Sequence, residues 1–281
     1  MADEQKYYRE TTPSGFGIAI KIKDVLYSTE SKYQKIEVLD SESSLGKILT
    51  LNGLMFVTEG DAYHYNEMIT HVPMISHPCP KNILIIGGGT GASTHEVLKH
   101  NTVEKVVVVD IDEEVVNTCK KYLPKIASGL DNPKVQVKIE NAFEYIKNTN
   151  EKFDVILITS PDPLGPGIGE YTSEVYNNLK RVLNDDGIIV MQSESPVANV
   201  EKSKKLYESL LKVFKIVKTY TSPVPTYPGS CWAWAYCSQT VEPLKNIDEK
   251  RYEEVVSQCK LFNKKYAQQR FEQETILDEL L

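Results

Sequence analysis

Ile85-Ile86-Gly87-Gly88-Gly89-Thr90-Gly91-Ala92 is the stretch that decides the fold. It follows the β-branched run Asn82-Ile83-Leu84-Ile85-Ile86 and precedes a helical pattern from Ser93 to His100. A second apolar run, Val106-Val107-Val108-Val109, ends in Asp110 about twenty residues further on. A strand, a glycine-rich turn opening a helix, and a carboxylate at the tip of the next strand form the nucleotide-binding half of a doubly wound sheet. The glycines let backbone N–H groups approach a ligand, and the carboxylate can accept from ribose hydroxyls. The turn lacks a clean GxGxxG, because Thr94 stands where a third glycine would pack helix against strand.

Outward from this turn the chain divides into three. Residues 1–60 read as strands. The pair Lys47–Leu51 and Leu54–Thr58 flanks Asn52-Gly53, a two-residue hairpin signal. Residues 61–245 read as alternating helices and strands. They open with a helix in which Tyr65, Met68, Ile69 and Val72 recur at helical spacing until Pro73. Residues 246–281 are charged and read as helical. The expected fold is α/β: a doubly wound, mostly parallel Rossmann-like sheet with a small N-terminal antiparallel β domain.

Composition narrows the function. Of 281 residues, 41% are apolar and 25% charged, as in globular proteins. No apolar run approaches the roughly 20 residues needed to cross a bilayer. The charged start lacks a secretory h-region, so a cytoplasmic location is the default expectation. With a net charge of −7 and no basic cluster, nucleic acid is not an expected partner. The five cysteines show no CxxC spacing, which gives neither a disulfide framework nor a zinc site. All five histidines fall between His64 and His100, so none remains to complete a hydrolytic triad with Ser193 or Ser195.

Further segments extend the pattern: Asp110-Ile111-Asp112, Asn141-Ala142-Phe143, Thr159-Ser160-Pro161-Asp162-Pro163, Met191-Gln192-Ser193-Glu194 and Pro225-Thr226-Tyr227-Pro228. In this order they resemble the spermidine synthase (polyamine aminopropyltransferase) family from about Phe16 to Cys237. The resemblance implies a class I methyltransferase-like domain that binds an adenosyl sulfonium, no metal, and a homodimer or homotetramer. The reaction is displacement at carbon beside a sulfonium. The leaving thioether needs no acid, while the acceptor amine must be neutral and held in line.

The resemblance also implies roles for individual residues. Gln34 and Asn66 would contact the donor. Gly87, Gly89, Thr90 and Gly91 would form its turn. Asp110 with Ile111 would hold the ribose. Asn141-Ala142 would meet adenine, the asparagine accepting through its carbonyl, and Pro166 would lie beside the ring. Tyr65 and Asp162 would orient the nucleophile, and Glu194 and Tyr227 would line the acceptor end. Outside such a motif, a tyrosine on an amphipathic helix is ordinarily a core residue, and an aspartate at a strand end is ordinarily a helix cap.

Two positions depart from the family. Thr90 replaces an aspartate in the glycine turn, and Thr159 replaces the first aspartate of the Asp-Ser-Ser-Asp-Pro loop. Both lost carboxylates surround the amino end of the decarboxylated donor's propyl arm in the family. A carboxylate there would repel intact S-adenosylmethionine, whereas a hydroxyl can donate to the donor's own carboxylate. The expectation is therefore a transferase using S-adenosylmethionine itself. It would move a 3-amino-3-carboxypropyl or methyl group to a small nucleophile, an amine by resemblance. A donor reacting with itself would make the same site a lyase or cyclase. The alternatives are an aminopropyltransferase using decarboxylated S-adenosylmethionine and a non-catalytic adenosyl-ligand sensor. A third departure is terminal: Leu261-Phe262-Asn263 and Gln269-Arg270-Phe271 stand where the family closes on a different segment.

Overall fold

The computed structural model describes residues 6–11, 15–160, 173–193, 195, 200–227 and 229–271. Five strands, β1 (Tyr7–Thr11), β2 (Gly17–Glu30), β3 (Lys35–Ser41), β4 (Lys47–Leu51) and β5 (Leu54–Thr58), form an antiparallel sheet in that order. The β4–β5 hairpin closes through Asn52 (φ 51°) and Gly53 (φ 78°). Two successive positive φ values match the twist of the flanking strands, which is why Asn-Gly is chosen there. Strand β2 runs unbroken over 14 residues, and its register against β3 shifts between Ile22 and Asp24 and again between Val25 and Tyr27.

A single helix, α1 (Ala62–Ser76), leads out of this sheet. It does not end at Pro73, as the spacing suggested. Pro73 lies inside the helix, and His77 N–H still donates to the Pro73 carbonyl at 3.0 Å. The proline removes one backbone donor. Met74 and Ile75, fully buried beyond it, give the last turn a packing reason to continue.

The second sheet has seven strands. Five are parallel: β6 (Asn82–Ile86), β7 (Lys105–Asp110), β8 (Val135–Ile139), β9 (Phe153–Ile158) and β10 (Leu183–Gln192). Strands β11 (Ile216–Pro223) and β12 (Cys231–Ser238) complete it antiparallel. The spatial order is β11-β12-β10-β9-β6-β7-β8. Helices α2 (Ala92–Val97), α3 (Glu113–Tyr122), α4 (Pro124–Ala127), α5 (Ala142–Asn148), α6 (Ser173–Arg181) and α7 (Val200–Leu211) connect the strands, and α8 (Glu249–Val256) and α9 (Lys264–Phe271) follow.

The apolar strand runs are buried on both faces, as parallel strands require. Ile83 and Ile85 join the core containing α1, whereas Leu84 and Ile86 join the core under α6 and α7. The chain leaves β6 toward β7 on one side, and β9 pairs on its other side. The turns after β6, β7 and β9 therefore surround the crevice where such sheets bind ligands.

Candidate active site

Backbone builds the first half of the site. Gly87 takes φ +75° at the end of β6, and a Cβ there would lie 2.6 Å from the Ser160 Cα. The turn after β9 thus presses directly on the glycine turn. Gly91 takes φ +80° at the N-cap of α2, and its N–H donates to the Gly88 carbonyl at 2.9 Å. Between them, Gly89 N–H donates to Asp110 Oδ2 at 2.7 Å. Asp110 Oδ1 accepts from Asp112 N–H at 3.0 Å, which closes the β7–α3 turn through Ile111. Burial raises the Asp110 carboxyl above the usual aspartate value, and the hydrogen bonds from Asp112 and Gly89 oppose that shift only in part.

Gln34 reaches this turn from the N-terminal sheet. Its Nε2 donates to Asp112 Oδ2 at 3.0 Å, and Ser31 Oγ donates to the same oxygen at 2.7 Å. Tyr27 stacks on Tyr122 at 4.9 Å and donates to Glu114 at 2.9 Å, which fixes the small sheet against α3. Asn66 joins α1 to α2: its Nδ2 donates to the Ala62 carbonyl and its Oδ1 accepts from Ser93 Oγ, both at 2.8 Å.

Asn141 follows β8 and caps the next helix. Its side-chain oxygen accepts from Phe143 N–H at 2.9 Å and Glu144 N–H at 3.2 Å, as the N-cap of α5. Both lone pairs of the oxygen assigned to adenine are thus taken by the helix start. Ala142, next in line, is half-buried against the core.

The two threonines lie on opposite turns, and both are buried. Thr90 Oγ1 accepts from Ala92 N–H at 3.3 Å. Thr159 Oγ1 donates toward the carbonyls of Ile86 and Gly87, at 3.1 and 3.0 Å.

Side chains from distant segments build the second half. The Tyr65 hydroxyl donates to Gln192 Oε1 at 3.1 Å, and Gln192 Nε2 donates to the Ser160 carbonyl. Rings surround Tyr65, with Trp234 at 5.5 Å and Tyr227 at 5.9 Å. Trp232 meets Tyr227 edge-on at 4.9 Å. The Tyr227 hydroxyl turns away from this wall and donates to the Phe56 carbonyl at 3.0 Å. Burial, with the charges of Asp61 and Glu10 behind it, pushes the phenol upward and keeps it protonated. Asp61 secures the loop: Oδ1 accepts from Thr58 at 2.7 Å and Oδ2 from Thr226 at 2.6 Å.

Gln192 and Asp61 were not singled out from sequence. The signal for Gln192 was its place at the end of β10, beside the crevice. Asp162, Pro166 and Glu194 lie outside the described residues.

His77, Asp154 and Asp186 lie together away from the crevice. His77 Nδ1 accepts from Cys79 N–H, and Asp154 accepts from Lys81 N–H, Asn82 N–H and Asn184, while the buried His77 Nε2 has no hydrogen-bond partner among the described residues. With Nδ1 as acceptor, neutral His77 carries its hydrogen on Nε2, the atom facing Asp186. The Asp154 bonds tie β9 to the start of β6 and to β10. No helix among the described residues is long and apolar enough to cross a membrane.

Residues 62–251 match the spermine/spermidine synthase domain, and residues 6–59 match the spermidine synthase tetramerisation domain. The chain is 40% identical over 251 residues to a polyamine aminopropyltransferase of Methanocaldococcus jannaschii, covering 89% of this chain and 85% of that one. It is 38% identical over 259 residues to that of Clostridium botulinum, covering 92% and 91%. A solved spermidine synthase in complex with the transition-state analogue AdoDATO superposes with a TM-score of 0.94 at 32% identity, covering all of this chain and 96% of that one. The spermidine synthase of Thermotoga maritima gives 0.90 at 31% identity, covering 99% and 97%. Both share the class I methyltransferase-like fold described above. These relatives favour aminopropyl transfer over the use of intact S-adenosylmethionine expected from the two threonines. The chain is a transferase of the spermine/spermidine synthase family.

Proposed function

We propose that the chain transfers the aminopropyl group of decarboxylated S-adenosylmethionine to a small amine. The observation that carries this reading is the Tyr65–Gln192–Ser160 link. It holds a phenol beside the turn that presses on the glycine loop. A sulfonium seated on Gly87–Gly91 and Asp110 would present its propyl carbon toward Tyr65. The neutral amine attacks that carbon through its lone pair. The C–S bond breaks, its electrons stay on sulfur, and methylthioadenosine leaves as a neutral thioether. The new ammonium then loses one proton to solvent. Tyr65 would hold the nucleophile in line, and Asp162 is the carboxylate the family resemblance places beside it. A homotetramer is part of this reading, on the strength of the match of residues 6–59.

Thr90 and Thr159 favour a second reading, with intact S-adenosylmethionine as donor. Thr90 spends one lone pair on Ala92 N–H and keeps its hydrogen for a carboxylate. Thr159 spends its hydrogen on two carbonyls and keeps a lone pair for an ammonium. That pair complements the α-amino acid end of the intact donor. The reaction would then move a 3-amino-3-carboxypropyl or a methyl group.

One experiment separates these readings. The protein is incubated with each donor and a set of amines, and the nucleoside product is identified by mass spectrometry. Methylthioadenosine from the decarboxylated donor alone supports aminopropyl transfer. Methylthioadenosine from intact S-adenosylmethionine overturns it in favour of carbon-chain transfer, and S-adenosylhomocysteine would mean methyl transfer.

A further inference from the structure

The C-terminal segment, where the chain departs from its family's closing motif, is fastened to the catalytic helix at one buried carboxylate. Glu67 follows Tyr65-Asn66 on α1 and is 1% exposed. Its oxygens accept three consecutive backbone N–H groups: Lys260 at 2.7 Å, Leu261 at 2.8 Å and Phe262 at 2.7 Å. Successive N–H groups converging on one anion form a backbone nest, with the anion here supplied by the protein itself. Phe262 then packs on His71, one turn further along α1, at 5.2 Å.

Beyond this anchor α9 crosses β11. Tyr266 Oη and Ser222 Oγ lie 2.9 Å apart. Phe271 packs on Tyr220 at 4.8 Å, Tyr220 stacks on Trp234 at 5.4 Å, and Trp234 meets Tyr65 at 5.5 Å. The Tyr220 hydroxyl donates to the Met68 carbonyl at 3.0 Å. The circuit starts on α1 at Glu67 and returns to α1 at Tyr65. It passes behind the aromatic wall of the acceptor side and does not touch the glycine turn.

We propose that Glu67 is a positioning residue, which pins the strap 260–271 so that the ladder Phe271–Tyr220–Trp234 sets the Tyr65 ring in the acceptor pocket. This rests on the reading of Tyr65 as the group that holds the acceptor. Rings in a close-packed interior move together, so loosening the strap shifts the wall and leaves the nucleotide turn in place. Glutamine cannot substitute at this position. It offers one acceptor oxygen and turns an NH2 toward a backbone N–H, which leaves part of the nest without an acceptor.

The chain has two tryptophans, Trp232 and Trp234, and both belong to the wall, so intrinsic fluorescence reports on it without any turnover. Three variants of the full chain are compared: Glu67→Gln, Phe271→Ala, which removes a rung away from the nest, and Lys264→Ala, which removes an exposed ion pair with Glu249 on the same strap. The proposal expects the first two to shift the emission spectrum and raise the acceptor KM about tenfold, with methylthioadenosine affinity changed by less than about twofold. Lys264→Ala stays at the parent's values. Unchanged emission and acceptor KM in both variants overturn the proposal, as does a parallel loss of acceptor and nucleoside affinity. If Glu67→Gln does not fold, Phe271→Ala decides alone. If no amine is turned over, the proposed reaction fails separately, and the emission spectra still decide the role of Glu67.

Discussion

The half of the crevice we propose for the donor is mostly backbone held by near neighbours, with Gln34 the long-range addition at 78 residues from Asp112; the half we propose for the acceptor is side chains held across the chain. Gly89 and Asp110 are 21 residues apart, Asp110 and Asp112 two, Asn141 and Phe143 two. Tyr65 and Gln192 are 127 apart, Asp61 and Thr226 165, and Glu67 and Phe262 195. A turn can be read wherever it occurs. A wall of rings exists only after the sheet has assembled. Substitutions in the donor half should therefore act on ligand affinity or on the turn itself, and those in the acceptor half on turnover and acceptor choice.

The largest expected effect probes the donor half. Thr90→Asp restores a carboxylate to the glycine turn. A carboxylate about 4 Å from that of S-adenosylmethionine, at an effective dielectric near 20, repels it by about 4 kcal/mol. Affinity for S-adenosylmethionine should fall by up to about a thousandfold. Affinity for the decarboxylated donor should hold or rise. Calorimetric titration of both ligands checks this, and improved binding of S-adenosylmethionine would refute the repulsion argument.

Gly87→Ala tests whether the two turns must touch. A left-handed φ of +75° costs an L-residue about 1–2 kcal/mol. A Cβ at 2.6 Å from backbone adds about 1–3 kcal/mol of overpacking. The melting temperature should fall by roughly 10 °C, with loss of donor binding.

Asp110→Asn separates ligand affinity from stability. Burial raises this carboxyl, so the folded protein holds its proton to higher pH than the unfolded chain does. From the unfolded value near 3.8 up to the folded value, stability falls as pH rises. Asparagine removes the buried charge, but it turns its NH2 toward either the Gly89 or the Asp112 N–H, and these two effects oppose each other. The unliganded variant should therefore melt within a few degrees of the parent at pH 7. Donor affinity should drop about tenfold to a hundredfold, the loss of a charged hydrogen bond to the ribose.

The sequence made the donor half legible because its devices are local: β-branched runs, glycines at left-handed positions, and a carboxylate ending β7. Asn141 was legible as a site position and not as a cap, because one oxygen can serve either partner and only the helix start beside it decides. Pro73 shows burial overriding a local breaker, which no spacing rule reports. On the acceptor side the family pattern named Tyr65 and Tyr227, but the partners that hold them stayed opaque. Nothing near Gln192 in sequence says that it will bond Tyr65, and nothing near Glu67 says that three N–H groups from residues 260–262 will meet it.

On the acceptor side, Tyr65→Phe keeps the ring in contact with Trp234 and Tyr227 and deletes the hydroxyl that bonds Gln192. Turnover should fall about tenfold, with nucleoside affinity intact. Steady-state kinetics beside a methylthioadenosine titration separates the two. Equal losses in both would mean that the halves are not independent.

The smallest expected effect is the sharpest division within one residue. The Tyr227 ring lines the wall, while its hydroxyl faces the N-terminal sheet and bonds the Phe56 carbonyl. Tyr227→Phe should therefore cost about 1 kcal/mol of stability, a melting shift of roughly 2–4 °C, and leave turnover within about twofold. Tyr227→Ala should raise the acceptor KM as well, because it removes the ring from between Tyr65 and Trp232. A large loss of turnover in the phenylalanine variant would place that hydroxyl on the acceptor, and the Phe56 bond would then be one that breaks when the site fills.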